Sequence, residues 1–358
     1  MNFTEIQKSI ITTDASKVLV LSSAASGKSA VIVERIRYLL DKGVAPSDIV
    51  AITFTNNAAS VMFERLGNPK GLFIGTVHSY CNYLLRGGSI DTTEIILQER
   101  FDDLFEKIKH NTECVKKVKY LIVDEAQDST EQQFEFFELI NPENYMYVGD
   151  IKQTIYSWNG SYPDYLIKLS YSSDVTVYNM NNNFRNQNDI LRFAKKFLYR
   201  LGPDYVDNSI AMRPGDGEQF HVVECEMPLV SSAAALVHYK KQRNTDWKDW
   251  FVLCRTNQEI EDFIQAFEKL GVPTDTFKQA DLTNSQIKER IKEDTVKILT
   301  VHSAKGLENK CVLSYNIRAY NDEEARLCYV SATRAKDFLI WVKAPSKKKK
   351  KNKVVNWE

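Results

Sequence analysis

Nothing in this chain is spaced to hold a structural metal. Its six cysteines, Cys81, Cys114, Cys225, Cys254, Cys311 and Cys328, are scattered without a C-x-x-C pair, and its five histidines show no ligand spacing. That excludes a zinc ribbon or a disulfide-stapled fold and leaves reduced, mostly packed thiols. No run of about 18 apolar residues occurs, so no segment is expected to cross a bilayer. The start, MNFTEIQKSI, lacks the apolar core of a signal peptide. The expected setting is soluble and cytoplasmic. Net charge is also missing, since 47 basic residues face 47 acidic ones. The balance conceals an uneven distribution. Residues 343 to 358 hold seven Lys and one Glu, leaving 40 basic against 46 acidic residues upstream. The run Lys347 to Lys351 is either a grip on phosphate backbones through counterion release or a solvated end.

What is present is an ordinary globular composition. With 358 residues, 43% of them hydrophobic, two core-forming domains are expected. Val18 to Leu21 read as a buried strand, Ser22 to Ser26 as a loop of small residues, and Gly27 onward as a helix. The free backbone N–H groups of such a helix start face an anion. In SGKS, Ser26 and Gly27 belong to the cradle, Lys28 supplies positive charge for terminal phosphates, and Ser29 offers a hydroxyl to Mg²⁺. The fit to G-x-x-x-x-G-K-[ST] is incomplete: Ser22 stands at the first glycine position, and Ala25 sits where a second loop glycine is common. A plain strand-turn-helix with a surface lysine is the competing reading.

A second half of such a site lies about one mononucleotide-binding unit downstream. Tyr120 to Val123 form a short apolar strand that ends on DEAQD, and the carboxyl end of a strand in an open parallel sheet is where ligands bind. Asp124 is placed to hold Mg²⁺ through its water shell, and Glu125 to accept a proton from attacking water. Gln127 and Gln153 suit sensing of a γ-phosphate or orientation of that water. An acidic helix start, favoured by the helix dipole, is the bland alternative.

The order of further segments carries the rest: ITFTNNAASVMFERL (52–66), IGTVHSYCNYLLR (74–86), DEAQD, YVGDIKQTIYSWNG (147–160), NNNFRNQ (181–187), TVHSAKGLE (300–308) and YVSATRAKD (329–337). Together they resemble the UvrD-like DNA helicases of superfamily 1, subclass A, over residues 3 to 342. The resemblance implies an α/β fold of two RecA-like domains with mainly parallel sheets and ATP in the cleft between them. It implies that Gln7 reads the adenine edge, that Arg35 lines the nucleotide pocket, that Phe184 stacks on adenine, and that Glu308 approaches the ribose. Arg185 and Arg334 would arrive from the second half to stabilise the transition state; surface salt bridges are their alternative. Phe54, Tyr156 and Trp158 would stack bases along a single-strand groove, with Asn56, His78 and His302 adding contacts. Phe54 could equally be core. Asn57 and Asn159 replace residues that are commonly basic.

Strands near 18–22, 49–54, 73–76, 120–124 and 145–149 are assigned to a first domain, residues 1–170. A second set near 175–178, 219–224, 250–254, 296–300, 311–315 and 337–342 falls in residues 171–343, before a basic tail at 344–358. The helix 257–270 is expected to pack through Ile260, Phe263, Ile264, Phe267 and Leu270. Accessory insertions are reduced to 87–119 and 274–295. The expected activity is a 3′ to 5′ single-stranded-DNA translocase or helicase using ATP and Mg²⁺, working on single strands or duplexes with a single-stranded end and unwinding better with a partner. The alternative is a nucleotide-gated DNA-sensing subunit of a nuclease-containing anti-phage complex.

Overall fold

The computed structural model describes residues 2–215 and 221–345, so the Lys347 to Lys351 run lies outside the described residues. Two sets of short apolar strands build two sheets. The first contains β1 (Lys17–Ser22), β2 (Ile49–Ile52), β3 (Phe73–Gly75), β4 (Tyr120–Val123), β5 (Asn144–Gly149) and β6 (Thr176–Met180), in the order β3-β2-β4-β5-β1-β6. A small parallel pair, β7 (Asn182–Asn183) and β8 (Ile210–Ala211), follows. The second sheet contains β9 (Val222–Glu226), β10 (Trp250–Cys254), β11 (Thr274–Asp275), β12 (Val296–Thr300), β13 (Asn309–Tyr315) and β14 (Ala335–Lys343), in the order β11-β12-β10-β13-β14-β9. Pairing within both six-stranded sheets is parallel. This is the expected α/β architecture of two mainly parallel sheets.

Helices on both faces explain the continuous apolar strands. In β1, Val18 and Val20 face the helices Glu5–Thr12 and Lys28–Asp41, meeting a core with Ile10, Ile32 and Ile36. Leu19 faces the other way, toward Tyr80, Leu84, Phe134 and Phe137 of helices Val77–Gly87 and Glu131–Ile140. Each such fully buried side chain contributes roughly 1.5–3 kcal/mol. Five of the six cysteines are buried and all six are free. No described helix is long and apolar enough to cross a membrane.

Three expectations need adjustment. The strand foreseen at 175–178 for the second set instead pairs with β1 from Thr176 to Met180, so it closes the first sheet and moves the division of the sheets past 170. The helix Asn257–Glu268 buries Ile260, Phe263 and Phe267 as its spacing requires, but Leu270 lies beyond its end and is 45% exposed. The reduced insertion at 274–295 is part of the fold: its first residues form edge strand β11, followed by a short turn Gln279–Asp281 and the helix Asn284–Lys292. The insertion at 87–119 holds helices Thr93–Leu97 and Asp103–His110, which pack on the first core through Leu104, Phe105 and Ile108.

Candidate nucleotide and nucleic-acid site

The carboxyl ends of β1 and β4, together with loops from the second half of the chain, open onto one cavity of about 2150 Å³. Ser26, Gly27, Lys28, Ser29, Asp124, Glu125, Gln153, Phe184, Arg185, Glu308 and Arg334 all line it. So do Phe54, Asn56, His78, Tyr156, Trp158 and His302. Residues more than 300 positions apart in the chain therefore share one space.

The phosphate loop keeps its shape without two of its usual glycines. Ser22 is still part of β1 and its hydroxyl donates to the Gly149 carbonyl at 2.9 Å, so no glycine is required there. Ala25 does take a left-handed conformation, φ +57°, next to Gly27 at φ +87°. An alanine in that region is strained by roughly 1–2 kcal/mol. Hydrogen bonds from outside the loop hold it: Asn183 Nδ2 donates to the Ala24 carbonyl at 3.0 Å, the Phe184 N–H to the Ala25 carbonyl at 3.1 Å, and the Ser23 hydroxyl to Asp207 Oδ1 at 3.0 Å. The helix Lys28–Asp41 has no side-chain cap, and the buried Ser26 hydroxyl has no partner among the described residues. Unsatisfied donors at a helix start fit the oxygens of a polyphosphate.

At the end of β4, Glu125 is also left-handed, φ +52°, and its backbone N–H donates to Asp124 Oδ1 at 2.9 Å. Lys28 Nζ lies 3.6 Å from Glu125 Oε1. Burial pulls the Lys28 ammonium down, but Glu125, Asp150 and Asp124 outweigh it and hold its pKa above the ordinary value. Burial, then the Glu125 charge, raises Asp124. For Glu125 burial is outweighed by Lys28 and Lys305, with the Gln127 hydrogen bond and Arg334 adding to them, so this carboxylate is held low and stays ionised. Asp124 and Ser29 both line the cavity, and a carboxylate with a hydroxyl suits a hydrated Mg²⁺, which keeps several waters and takes few protein ligands.

Several side chains do something other than what the sequence implied. Gln127 is buried with its amide fully engaged: Nε2 donates to Glu125 Oε2 at 2.6 Å and Asp128 Oδ2 at 3.1 Å, while Oε1 accepts from the Asp150 N–H at 2.9 Å. It braces Glu125 and is absent from the cavity lining. Gln7 accepts from the Thr4 N–H at 2.9 Å and donates to the Ser26 carbonyl at 3.0 Å, so it supports the loop and does not line the cavity. Arg35 is buried behind the loop, donating to the Ile11 carbonyl at 2.9 Å, and is likewise absent from the lining. Glu308 lines the cavity but is engaged by Arg185 and by Lys336 at 2.7 Å, which leaves it less free for a ribose.

Gln153 and Arg334 meet across the seam. Arg334 Nη2 donates to Gln153 Oε1 at 3.1 Å, and Gln153 Nε2 donates to Asp150 Oδ2 at 2.7 Å. Arg334 has no carboxylate within salt-bridge distance among the described residues; its other contacts are the Val330 and Leu307 carbonyls and the Thr333 hydroxyl. Burial first, and Arg185 second, lower its pKa to about 9. It remains charged at neutral pH, and its poorly compensated charge favours an incoming anion.

Beyond the phosphate end, aromatic rings line the rest of the cavity. Phe54 stacks on Tyr156 with centroids 5.1 Å apart and planes at 21°, and Trp158 meets Tyr156 edge-on at 6.1 Å. Phe54 is 37% exposed and Trp158 73%, so neither is a core residue. His302 joins Tyr156 at 5.9 Å, and its Nε2 is 3.2 Å from the Ile155 carbonyl. His78 packs between Phe101 and Phe105; its Nε2, 3.9 Å from Asp102, is too distant to hydrogen-bond. Burial lowers the pKa of both histidines.

The profile of the UvrD/REP helicase N-terminal domain matches residues 3–95 and 89–174, and that of the UvrD-like helicase C-terminal domain matches 178–282 and 274–345. The chain belongs to the UvrD-like helicase family. It is 25% identical over 360 residues to a probable DNA helicase II homolog of Mycoplasma capricolum, covering 72% of this chain and 49% of the relative. It is 24% identical over 450 residues to a probable DNA helicase of Mycoplasma pneumoniae, covering 94% and 82%. The ATP-dependent DNA helicase Rep of Escherichia coli is 26% identical over 353 residues, covering 71% and 52%. The chain thus spans about half the length of the first and third of these.

Other groups of this UvrD-like site were not legible beforehand. Lys305 of the TVHSAKGLE block reaches Asp128 and the Gln153 carbonyl, the latter at 2.9 Å. Arg326 Nε donates to the Thr154 carbonyl at 2.6 Å. Asp207 is buried between Ser23 and Tyr329, whose hydroxyl donates to it at 2.9 Å. Lys305 and Arg326 stood inside or beside quoted blocks. Asp207 had no local signal, because its partners come from opposite ends of the chain.

Proposed function

We propose that this UvrD-like chain couples ATP hydrolysis, with Mg²⁺, to 3′ to 5′ movement along single-stranded DNA, and that efficient duplex unwinding needs a partner. One observation carries the reading: the phosphate loop and acidic strand end of the first sheet share a cavity with Arg185 and Arg334 from the second half of the chain. The phosphate loop's unsatisfied donors and Lys28 would hold the triphosphate, while Ser29 and Asp124 would hold the metal's water shell. A bound Mg²⁺ supplies charge neutralisation between the phosphates. Glu125, kept ionised and braced by Gln127, orients and deprotonates water. Arg334 and Arg185 offset charge that develops on the transferring group, which makes turnover depend on how the two halves meet.

The aromatic end of the cavity favours single strands, since stacking on Phe54, Tyr156 and Trp158 tolerates any base. The polarity rests on the family resemblance of DEAQD and YVSATRA. ATP turnover with and without single-stranded DNA, alongside strand displacement on duplexes with 3′ or 5′ overhangs, tests both parts. DNA-stimulated turnover with preference for a 3′ overhang is expected; preference for a 5′ overhang overturns the direction, and turnover indifferent to DNA overturns the motor. No observation favours the alternative of a nucleotide-gated subunit of a nuclease complex.

A further inference from the structure

The helix Val77–Gly87 carries polar groups from the large cavity into a second one. Ser79, Asn82, Tyr83 and Arg86 stand at the i, i+3, i+4 and i+7 spacing that puts them on one helical face. Ser79 and Asn82 line the cavity that holds Phe54, Tyr156 and Trp158, and the same two residues line a neighbouring cavity of about 450 Å³ together with Tyr83, Arg86 and Lys116. The two spaces therefore meet along this face. From Ser79 to Arg86 the helix advances about 10 Å, the length of roughly three nucleotides at the 3.4 Å rise of a stacked strand.

The groups at the far end are held ready and left uncompensated. Tyr83 is 54% exposed, yet its ring is fixed by the buried Tyr80, stacked at 6.1 Å and 15°, and by Phe73 at 5.3 Å. Arg86 and Lys116 are exposed, and neither side chain has a hydrogen bond or a carboxylate within salt-bridge distance among the described residues. Asp91 feels the Arg86 charge but lies outside the lining, which includes no carboxylate. Lys116 comes from the end of the reduced insertion at 87–119.

We infer that this second cavity continues the single-strand track: Tyr83 takes a base, and Arg86 and Lys116 take backbone phosphates, of nucleotides beyond those stacked on Phe54, Tyr156 and Trp158. The inference rests on the single-strand reading proposed above. Two unpaired cations beside a fixed, half-open ring match a ligand that carries both charge and aromatic faces. An acidic peptide would satisfy the cations alone, and would give no reason for the cavity to adjoin the aromatic one.

The test is fluorescence anisotropy with a series of labelled oligothymidylates of about 4 to 20 nucleotides, bracketing the usual span of a single-strand site. For the native chain, affinity should rise with length to a plateau. Arg86→Ala together with Lys116→Ala should reach its plateau about two or three nucleotides sooner, and should lower the salt slope for the longest strand by about 1.4, two phosphates' worth. Tyr83→Ala should weaken the longest strand by about fivefold or more while the shortest strands bind as before, and Tyr83→Phe should restore it. The unaltered short-strand affinity shows that the variants are folded. An unchanged plateau length, an unchanged salt slope, or an equal loss at every length overturns the extension. Failure of the native chain to bind strands of any length overturns the single-strand reading itself, and is thereby told apart from failure of the extension alone.

Discussion

In the first sheet the loop after β1 carries SGKS and the end of β4 carries Asp124 and Glu125; in the second, the loop after β9 runs through Pro228 into a helix without a side-chain cap. The sheets are both six-stranded and parallel, yet among the described residues the SGKS loop belongs to the first alone. The second lobe presents cations at the seam instead. Arg334 meets Gln153, Lys305 meets Asp128, and Arg326 meets the Thr154 carbonyl. The same fold used twice thus gives a single site, acidic on one wall and basic on the other, because function sits in the loops and not in the sheet.

Removing the basic wall should have the largest effect. Arg334→Ala is expected to lower kcat for ATP by roughly 10³–10⁵-fold with smaller change in nucleotide affinity, the scale of a transition-state arginine; single-turnover kinetics and nucleotide titration would separate the two. A kcat within a few-fold of the native chain would leave the first lobe self-sufficient and break the comparison. On the acidic wall, Glu125→Gln should cost about 10²–10⁴-fold in turnover while ATP still binds. Normal hydrolysis by that variant would remove Glu125 as the base.

Smaller effects sharpen the picture. Trp158→Ala should weaken single-strand binding by roughly 1–3 kcal/mol, and should lower DNA-stimulated turnover more than basal turnover. Equal loss in both would make Trp158 a packing residue after all. Ala25→Gly should relieve the left-handed strain and stabilise the folded state by at most about 1 kcal/mol, since glycine's extra freedom in the unfolded chain offsets part of the gain. Urea melts of the two proteins would show it, and a loss of stability would mean that the loop relies on the alanine methyl.

How far the sequence reached differs between kinds of residue. The phosphate loop, the acidic strand end, both arginines and the aromatic series were legible and do share one cavity. Gln7, Arg35 and Glu308 were also singled out, as was Gln127; Glu308 lines the cavity but pairs with Arg185, whereas Gln7, Arg35 and Gln127 are absent from the lining and bond to Ser26, to Ile11 and to Asp150 respectively. The strand at 176–180 was placed with the wrong sheet, because a parallel strand carries no local mark of the neighbour it will pair with.

Apolar periodicity and small-residue loops are local, so the sequence by itself determined most strands of the two sheets, the helix 257–268 and the residue types that gather in the cavity. Which way a buried polar side chain turns is decided by donors and acceptors that arrive from elsewhere. Asp207 between Ser23 and Tyr329, and Asn57 against the Gln279 and Leu282 carbonyls, exist as contacts only once two lobes have folded against each other. Desolvation makes an unpaired buried polar group costly, and the tertiary structure alone says which partner relieves it.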